Sequence, residues 1–246
     1  MTTSIFATAL RVLWRHPLKS KRADLKLVFS YYACVYERIG KRRSIAARET
    51  PMPLKFRPKL DKIVELLLYL AKRRPGADKY QAVKFLYLTD REHFQRYGRP
   101  ITFDDYYAMW YGPVASNALD LLHEDYWTLR RAGINSLPFK TERGYVKSKS
   151  GKDTETVFIR APLRAVNDSI FSKSDIEVFD EIIEKYGDAS FDELFEMTHK
   201  HPAYLNAWNN KPEGQKRAPM AYDDMIEDEV RRKSLVADLA AVSAKM

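Results

Sequence analysis

Cysteine is almost absent from this chain: Cys34 is the only one in 246 residues. A single thiol excludes an internal disulfide framework and a cysteine-based zinc site. Its position near the N-terminus also excludes a cysteine nucleophile in the main body of the chain. This usage suits a reducing compartment, and the expected location is cytoplasmic. No apolar run approaches the length needed to span a bilayer, so no membrane partner is expected. The sequence has no Gly-rich phosphate loop, no GxSxG, no HExxH and no internal repeat. With none of these signatures, the chain is expected not to be an enzyme and to carry no metal and no cofactor.

What the sequence does contain is typical of a globular protein: 45% hydrophobic and 13% aromatic residues. The formal charge of +9 is unevenly spread. Residues 1–51 hold eleven Lys/Arg and three acids, a net of +8, which leaves +1 for the other 195 residues. The basic character therefore belongs to an N-terminal extension and says little about what the main domain binds. Residues 1–51 lack a clear cap-and-period pattern and are expected to be a flexible or poorly packed arm. Three readings are open for them: a basic arm on nucleic acid or anionic lipid, a weak amphipathic membrane-surface helix, or translated upstream sequence with Met52 as the true start. The last is favoured, because "MPLKFRPKLDKIVELLLYLA" opens like a domain.

From Lys59 the pattern is regular. Ile63, Leu66, Leu67, Leu70 and Ala71 give the period of an amphipathic helix, stopped at Pro75–Gly76. Asp78 is placed to cap a second helix that closes at Gly98 and Pro100. Tyr106–Tyr111 reads as a short strand, Gly112 as a turn, and Pro113 as the first residue of a third helix running to Arg131. Residues 143–160 read as a β-hairpin with a polar tip. Ser172 or Ser174 caps a further helix that ends at Gly187, and Ser190 with Glu193 forms a capping box for the next. Pro202 interrupts, and the helical pattern resumes to about residue 210. The expected fold is α+β and mostly helical: one compact helical domain over 52–210, with one short strand and a β-hairpin. Residues 211–246 are expected to form a tail with at most one helix.

Three constellations bear on function. In the second helix, Tyr80, Val83, Tyr87, Phe94 and Tyr97 follow a 3–4 rhythm only if Asp90 joins the apolar stripe. A carboxylate in a core-facing row needs hydrogen-bond partners or a shifted pKa. It is either an internal docking anchor, the favoured reading, or a ligand or acid paired with His93 at i+3 and completed by a residue such as His123. The run "DDYYAMWYGP" is either a buried aromatic edge or a recognition surface, with Tyr106, Tyr107, Trp110 and Tyr111 as candidate partner-binding residues. "HKHP", His199 to Pro202, reads as a solvated helix end.

These motifs together resemble the Panacea domain family of SocA-like antitoxins. The match runs through Lys84, Leu86, Tyr87, Asp90, His93, Phe94, Gly98, Pro100 and Ile101, then Tyr107, Ala108, Gly112, Pro113 and Val114. It continues at Tyr186, Gly187, Leu194, Thr198 and Trp208 and covers about residues 55–210. The resemblance implies a bacterial or prophage-associated antitoxin that neutralises a cognate protein toxin, encoded next to it, by direct binding. In the manner of SocA, it also implies delivery of that toxin to the ClpXP protease. It implies no catalytic residues, so Lys84, Tyr87, Asp90, His93, Gly98, Pro100, Gly112 and Pro113 are carried over as motif positions only. The alternative is a DNA-binding transcriptional regulator, since helix–helix–strand–helix–hairpin resembles the order of a winged helix. The near-neutral body argues against nucleic acid contact except through residues 1–51.

Overall fold

The computed structural model describes residues 54–147 and 153–240. The expected arm over 1–51 and the tip of the hairpin lie outside the described residues. Helix α1 (Leu60–Arg73) and helix α2 (Lys79–Tyr97) come first. Strands β1 (Tyr106–Met109) and β2 (Gly112–Ala115) follow, then the short helices α3 (Ser116–Leu122) and α4 (Tyr126–Arg131). A hairpin of β3 (Phe139–Lys147) and β4 (Asp153–Pro162) precedes α5 (Lys173–Tyr186), α6 (Phe191–Thr198) and α7 (Pro202–Asn209). Strand β5 (Arg217–Pro219) and helix α8 (Glu229–Ala240) complete the fold, which is α+β and mostly helical.

Local chemistry explains most boundaries. Asp78 caps α2 by accepting from the Gln81 N–H at 2.8 Å, and Gly98 ends that helix in a left-handed conformation. Ser172 with Asp175, and Ser190 with Glu193, form complete capping boxes on α5 and α6. Pro202 opens α7 at a position where its missing N–H costs nothing.

Helix α2 occupies the centre. Its contacts reach α5, β2, α3, α6 and the hairpin, and it is buried on nearly every side. Phe85, Leu86, Tyr87, Leu88 and Phe94 are all inaccessible or nearly so. The single stripe expected from the sequence is therefore too narrow. Tyr97, counted in that stripe, is 51% exposed, while Leu86 and Leu88, outside it, are in the core. A helix enclosed by other elements has no solvent face to produce a clean 3.6-residue period.

Two segments depart from expectation. The single strand 106–111 ends at Met109, turns through Trp110–Tyr111 and returns as β2, so Pro113 lies in a strand and not at a helix start. The sheet order is β2–β1–β5, all antiparallel. Proline is tolerated because β2 is the edge strand. The expected helix 113–131 is split at His123–Asp125. Glu124 takes a left-handed conformation there (φ 56°), and Asp125 caps α4 through the Thr128 N–H at 2.8 Å.

The expected boundary at residue 210 is also absent. Strand β5 pairs with β1, and Tyr222, Met225 and Ile226 are in the core. The Tyr222 ring meets Phe56 at 4.9 Å, Tyr106 at 5.8 Å and Phe94 at 5.9 Å, all edge-on, and its hydroxyl donates to the Asp104 carbonyl at 2.7 Å. The segment was missed because its apolar residues are spaced for loops and a short strand, not for a helix. A chain truncated after residue 210 is expected to lose cooperative unfolding or to melt lower by more than about 10 °C, as followed by circular dichroism.

Candidate functional site

Lys84, Asp90 and His93 of α2 are fully buried, and each fixes a different neighbouring segment. Lys84 lies under the β1–β2 turn. Its Nζ donates to the Tyr111 carbonyl at 2.7 Å and the Pro113 carbonyl at 2.8 Å, and sits 5.0 Å from the centre of the Tyr80 ring. No carboxylate pairs with it among the described residues, and burial pushes its pKa well below the ordinary lysine range. Gly112 (φ 94°) makes this possible. A Cβ there would stand 2.6 Å from Lys84 Nζ and 3.0 Å from Thr198 Oγ1. Both the backbone angle and the space therefore require glycine.

Asp90 accepts from the backbone N–H groups of Ile101 (2.8 Å) and Thr102 (2.9 Å), from the Thr102 hydroxyl, and from the Tyr106 hydroxyl (2.9 Å). It is an internal anchor. Burial raises its pKa, and these four bonds oppose the rise. His93 faces the Arg99 carbonyl with Nδ1 (2.8 Å), and Ser174 Oγ (3.1 Å) and Asp175 Oδ1 (3.2 Å) with Nε2. Asp175 also receives Arg99 at 2.6 Å and Lys62 at 2.7 Å. Burial acts to raise its pKa, but His93, Lys62, Ser172 and Arg99 outweigh it and hold the carboxyl far below the usual range.

Asp90 and His93 thus point their bonds to different partners, and His123 lies 3.4 Å from Lys79 Nζ instead of beside them. Among the described residues, no group of three His, Cys, Asp or Glu is placed to hold a metal ion. The other motif positions also serve the scaffold. Tyr87 packs on Tyr106 (5.5 Å) and its hydroxyl meets His201 Nδ1 at 3.2 Å, Gly98 caps α2, Pro100 is buried, and Pro113 supplies a carbonyl to Lys84.

A second buried carboxylate escaped the sequence reading. Asp104 accepts from the Asn117 backbone (2.9 Å) and side chain (2.7 Å) and from the Ala118 N–H (3.1 Å), capping the start of α3 from a dozen residues upstream. Such a non-local cap leaves no signature in the local sequence. Burial raises the Asp104 pKa to about 7. The bonds from Asn117 and Ala118 lower it, and the nearby Asp90 charge adds to the rise. Between Asp90's partner Thr102 and Asp104, Phe103 is held at φ 55°.

The surface above Lys84 is aromatic. Trp110 and Tyr111, at the tip of the turn, are 69% and 57% exposed. The three carbonyls from Met109 to Tyr111 are each engaged from within: Met109 by the Tyr204 hydroxyl (3.1 Å), Trp110 by His199 Nε2 (3.2 Å) and Tyr111 by Lys84. Around the tip, Tyr111 meets Phe191 at 5.8 Å and Trp110 meets Trp208 at 6.1 Å. Phe195, His199, Tyr204 and Trp208 join these two contacts in a continuous row of rings.

Of the four candidate partner-binding residues, Trp110 and Tyr111 are therefore at the surface. Tyr107 is half-buried beneath Arg217. Tyr106 is 2% exposed and belongs to the core, because its hydroxyl is committed to Asp90. "HKHP" is likewise no solvated end. His199 packs face to face with Phe195 at 3.7 Å, and half-buried His201 has its pKa lowered to about 3 by desolvation, then by Arg91 and Lys84. Sequence reading missed Phe191, Phe195 and Tyr204. Their signal was the four-residue spacing of Phe191, Phe195 and His199 and of Tyr204 and Trp208, which stacks rings on one helix face.

Residues 83–204 fit the family described as antitoxin SocA-like, Panacea domain. No curated protein and no solved structure matches the chain.

The buried carboxylates give the fold a defined pH dependence. A carboxyl whose folded pKa exceeds its unfolded value of 3.8 binds more protons in the native state. Stability therefore falls as pH rises from that value through the folded pKa, here about 7 for Asp104. Asp175 acts in the opposite sense, and its contribution is lost as pH falls below 3.8. Urea denaturation of Asp104→Asn is expected to show a flatter decline in stability between pH 4 and 7 than the parent chain. An unchanged slope would contradict the assignment. The stretch in which α2 and the β1–β2 turn bring the motif residues together, residues 83–204, is the part of the chain that matches the antitoxin SocA-like Panacea domain.

Proposed function

We propose that this protein is an antitoxin that neutralises a cognate protein toxin by direct contact through the aromatic surface at the β1–β2 turn. The observation that carries the reading is the turn itself: two large aromatic side chains are exposed at the tip, while the backbone carrying them is fastened by Lys84, His199 and Tyr204. Exposed Trp and Tyr on a rigid backbone lose little entropy on binding and are the residue types enriched at energetic hot spots. Phe191 and Leu205, 45% and 39% exposed, extend the apolar area. A stable complex needs about 800 Å² from each partner. The family match supports the antitoxin role.

Transfer of the bound toxin to ClpXP is a further step that the family resemblance implies. It is scored separately, by toxin lifetime in cells with and without the protease. No feature of the described residues favours the DNA-binding alternative.

The test is growth rescue. The product of the adjacent gene is expressed alone, with the full chain, and with the double variant Trp110→Ala, Tyr111→Ala. The full chain is expected to restore growth. The double variant is expected to keep its melting temperature, because neither side chain is in the core, and to bind on the order of 100-fold more weakly. Full rescue by the double variant at matched expression would contradict the proposed surface.

A further inference from the structure

A second feature concerns a polar cleft of about 340 Å³ between the start of α2, the end of α3 and the β3–β4 hairpin. Its walls carry Lys79, His123, Glu124, Thr141, Arg143 and Glu155. His123, Glu124, Arg143 and Glu155 face solvent, and Lys79 is half-buried. Lys79 Nζ lies 3.4 Å from His123 Nε2 and its charge acts on the Asp78 carboxyl, and among the described residues Lys79, Arg143 and Glu155 form no ion pair. Glu124 bonds only the Thr141 hydroxyl, at 3.2 Å. Three nitrogen groups that can carry positive charge, Lys79, His123 and Arg143, converge on one concave site, which favours an anionic group there.

Backbone geometry points to the same place. Glu124 occupies the left-handed position after α3 where glycine or asparagine is usual (φ 56°). Strained residues of this kind collect where side chains are held for binding. The conformation sets His123 and Glu124 side by side on the cleft wall. Burial lowers the His123 pKa, followed by Lys79; Asp120 opposes them, and Arg143 adds a smaller lowering effect. An anion placed among these three groups would relieve the repulsion and would gain charge-assisted hydrogen bonds.

We propose that this cleft is a subsite for the oxyanion of a small polar ligand, a phosphate or carboxylate group held by Lys79, His123 and Arg143. Glu124 and Glu155 remain to accept from N–H or O–H donors on the same ligand. The volume is at the lower end of the range for small-molecule sites. The site does not depend on the aromatic surface, and loss of toxin binding would leave it intact.

The experiment follows the His123 ring resonance of the full chain by NMR, assigned with His123→Gln, while sodium phosphate, sodium acetate or sodium chloride is added at matched ionic strength. A saturable shift with phosphate or acetate, accompanied by a rise in the His123 titration midpoint, is expected. Saturation by one and not the other identifies the class of oxyanion. Lys79→Gln and Arg143→Gln are expected each to weaken the saturable response at least tenfold while leaving the melting temperature unchanged. An equal response to chloride, absence of saturation with both oxyanions, or undiminished binding by both variants would overturn the site.

Discussion

Ionisable groups sealed from water are costly unless they find hydrogen-bond partners inside the protein, and the buried helix α2 carries Lys84, Asp90 and His93. Lys84, Asp90 and His93 each reach a different segment: the β1–β2 turn, the 101–106 segment, and the start of α5. Apolar contacts alone would let these segments slide over the helix with little change in energy, because burial is non-directional. Four bonds to one carboxylate, or an ammonium between two carbonyls, fix their position. The family motif positions on and around α2 are accounted for in this way, as the joints of the scaffold.

The arrangement has a direct consequence at the surface. A turn presenting Trp110 and Tyr111 would ordinarily be among the more mobile parts of a domain. Here successive carbonyls are engaged by Tyr204, His199 and Lys84, which arrive from three separate parts of the helical frame. Gly112 leaves the space through which Lys84 reaches the turn. The buried lysine and the exposed aromatics therefore belong to one device, in which the desolvation cost of the first is offset by the order it imposes on the second.

Much of this fold was legible in the sequence where the determinants are local. Caps at Asp78, Ser172 and Ser190, the stop at Gly98, and the misfit of Asp90 in an apolar row could all be read from neighbouring residues. Non-local determinants were invisible. Asp104 caps a helix from twelve residues upstream, Pro113 is a strand residue because β1 lies beside it, and Tyr222 reaches the core through a segment without helical period. The aromatic surface was half legible: Trp110 and Tyr111 stood out by type, whereas Tyr106 beside them is bound to Asp90 and lies inside.

A partner that meets this protein at the turn supported by Lys84 shields that turn from solvent. Amide hydrogen exchange measured on the full chain, alone and with the product of the adjacent gene, addresses this directly. Added protection is expected to concentrate in residues 109–113 and along α6 and α7, with little change at the hairpin. Protection confined to the hairpin or to α8, with residues 109–113 unchanged, would contradict it.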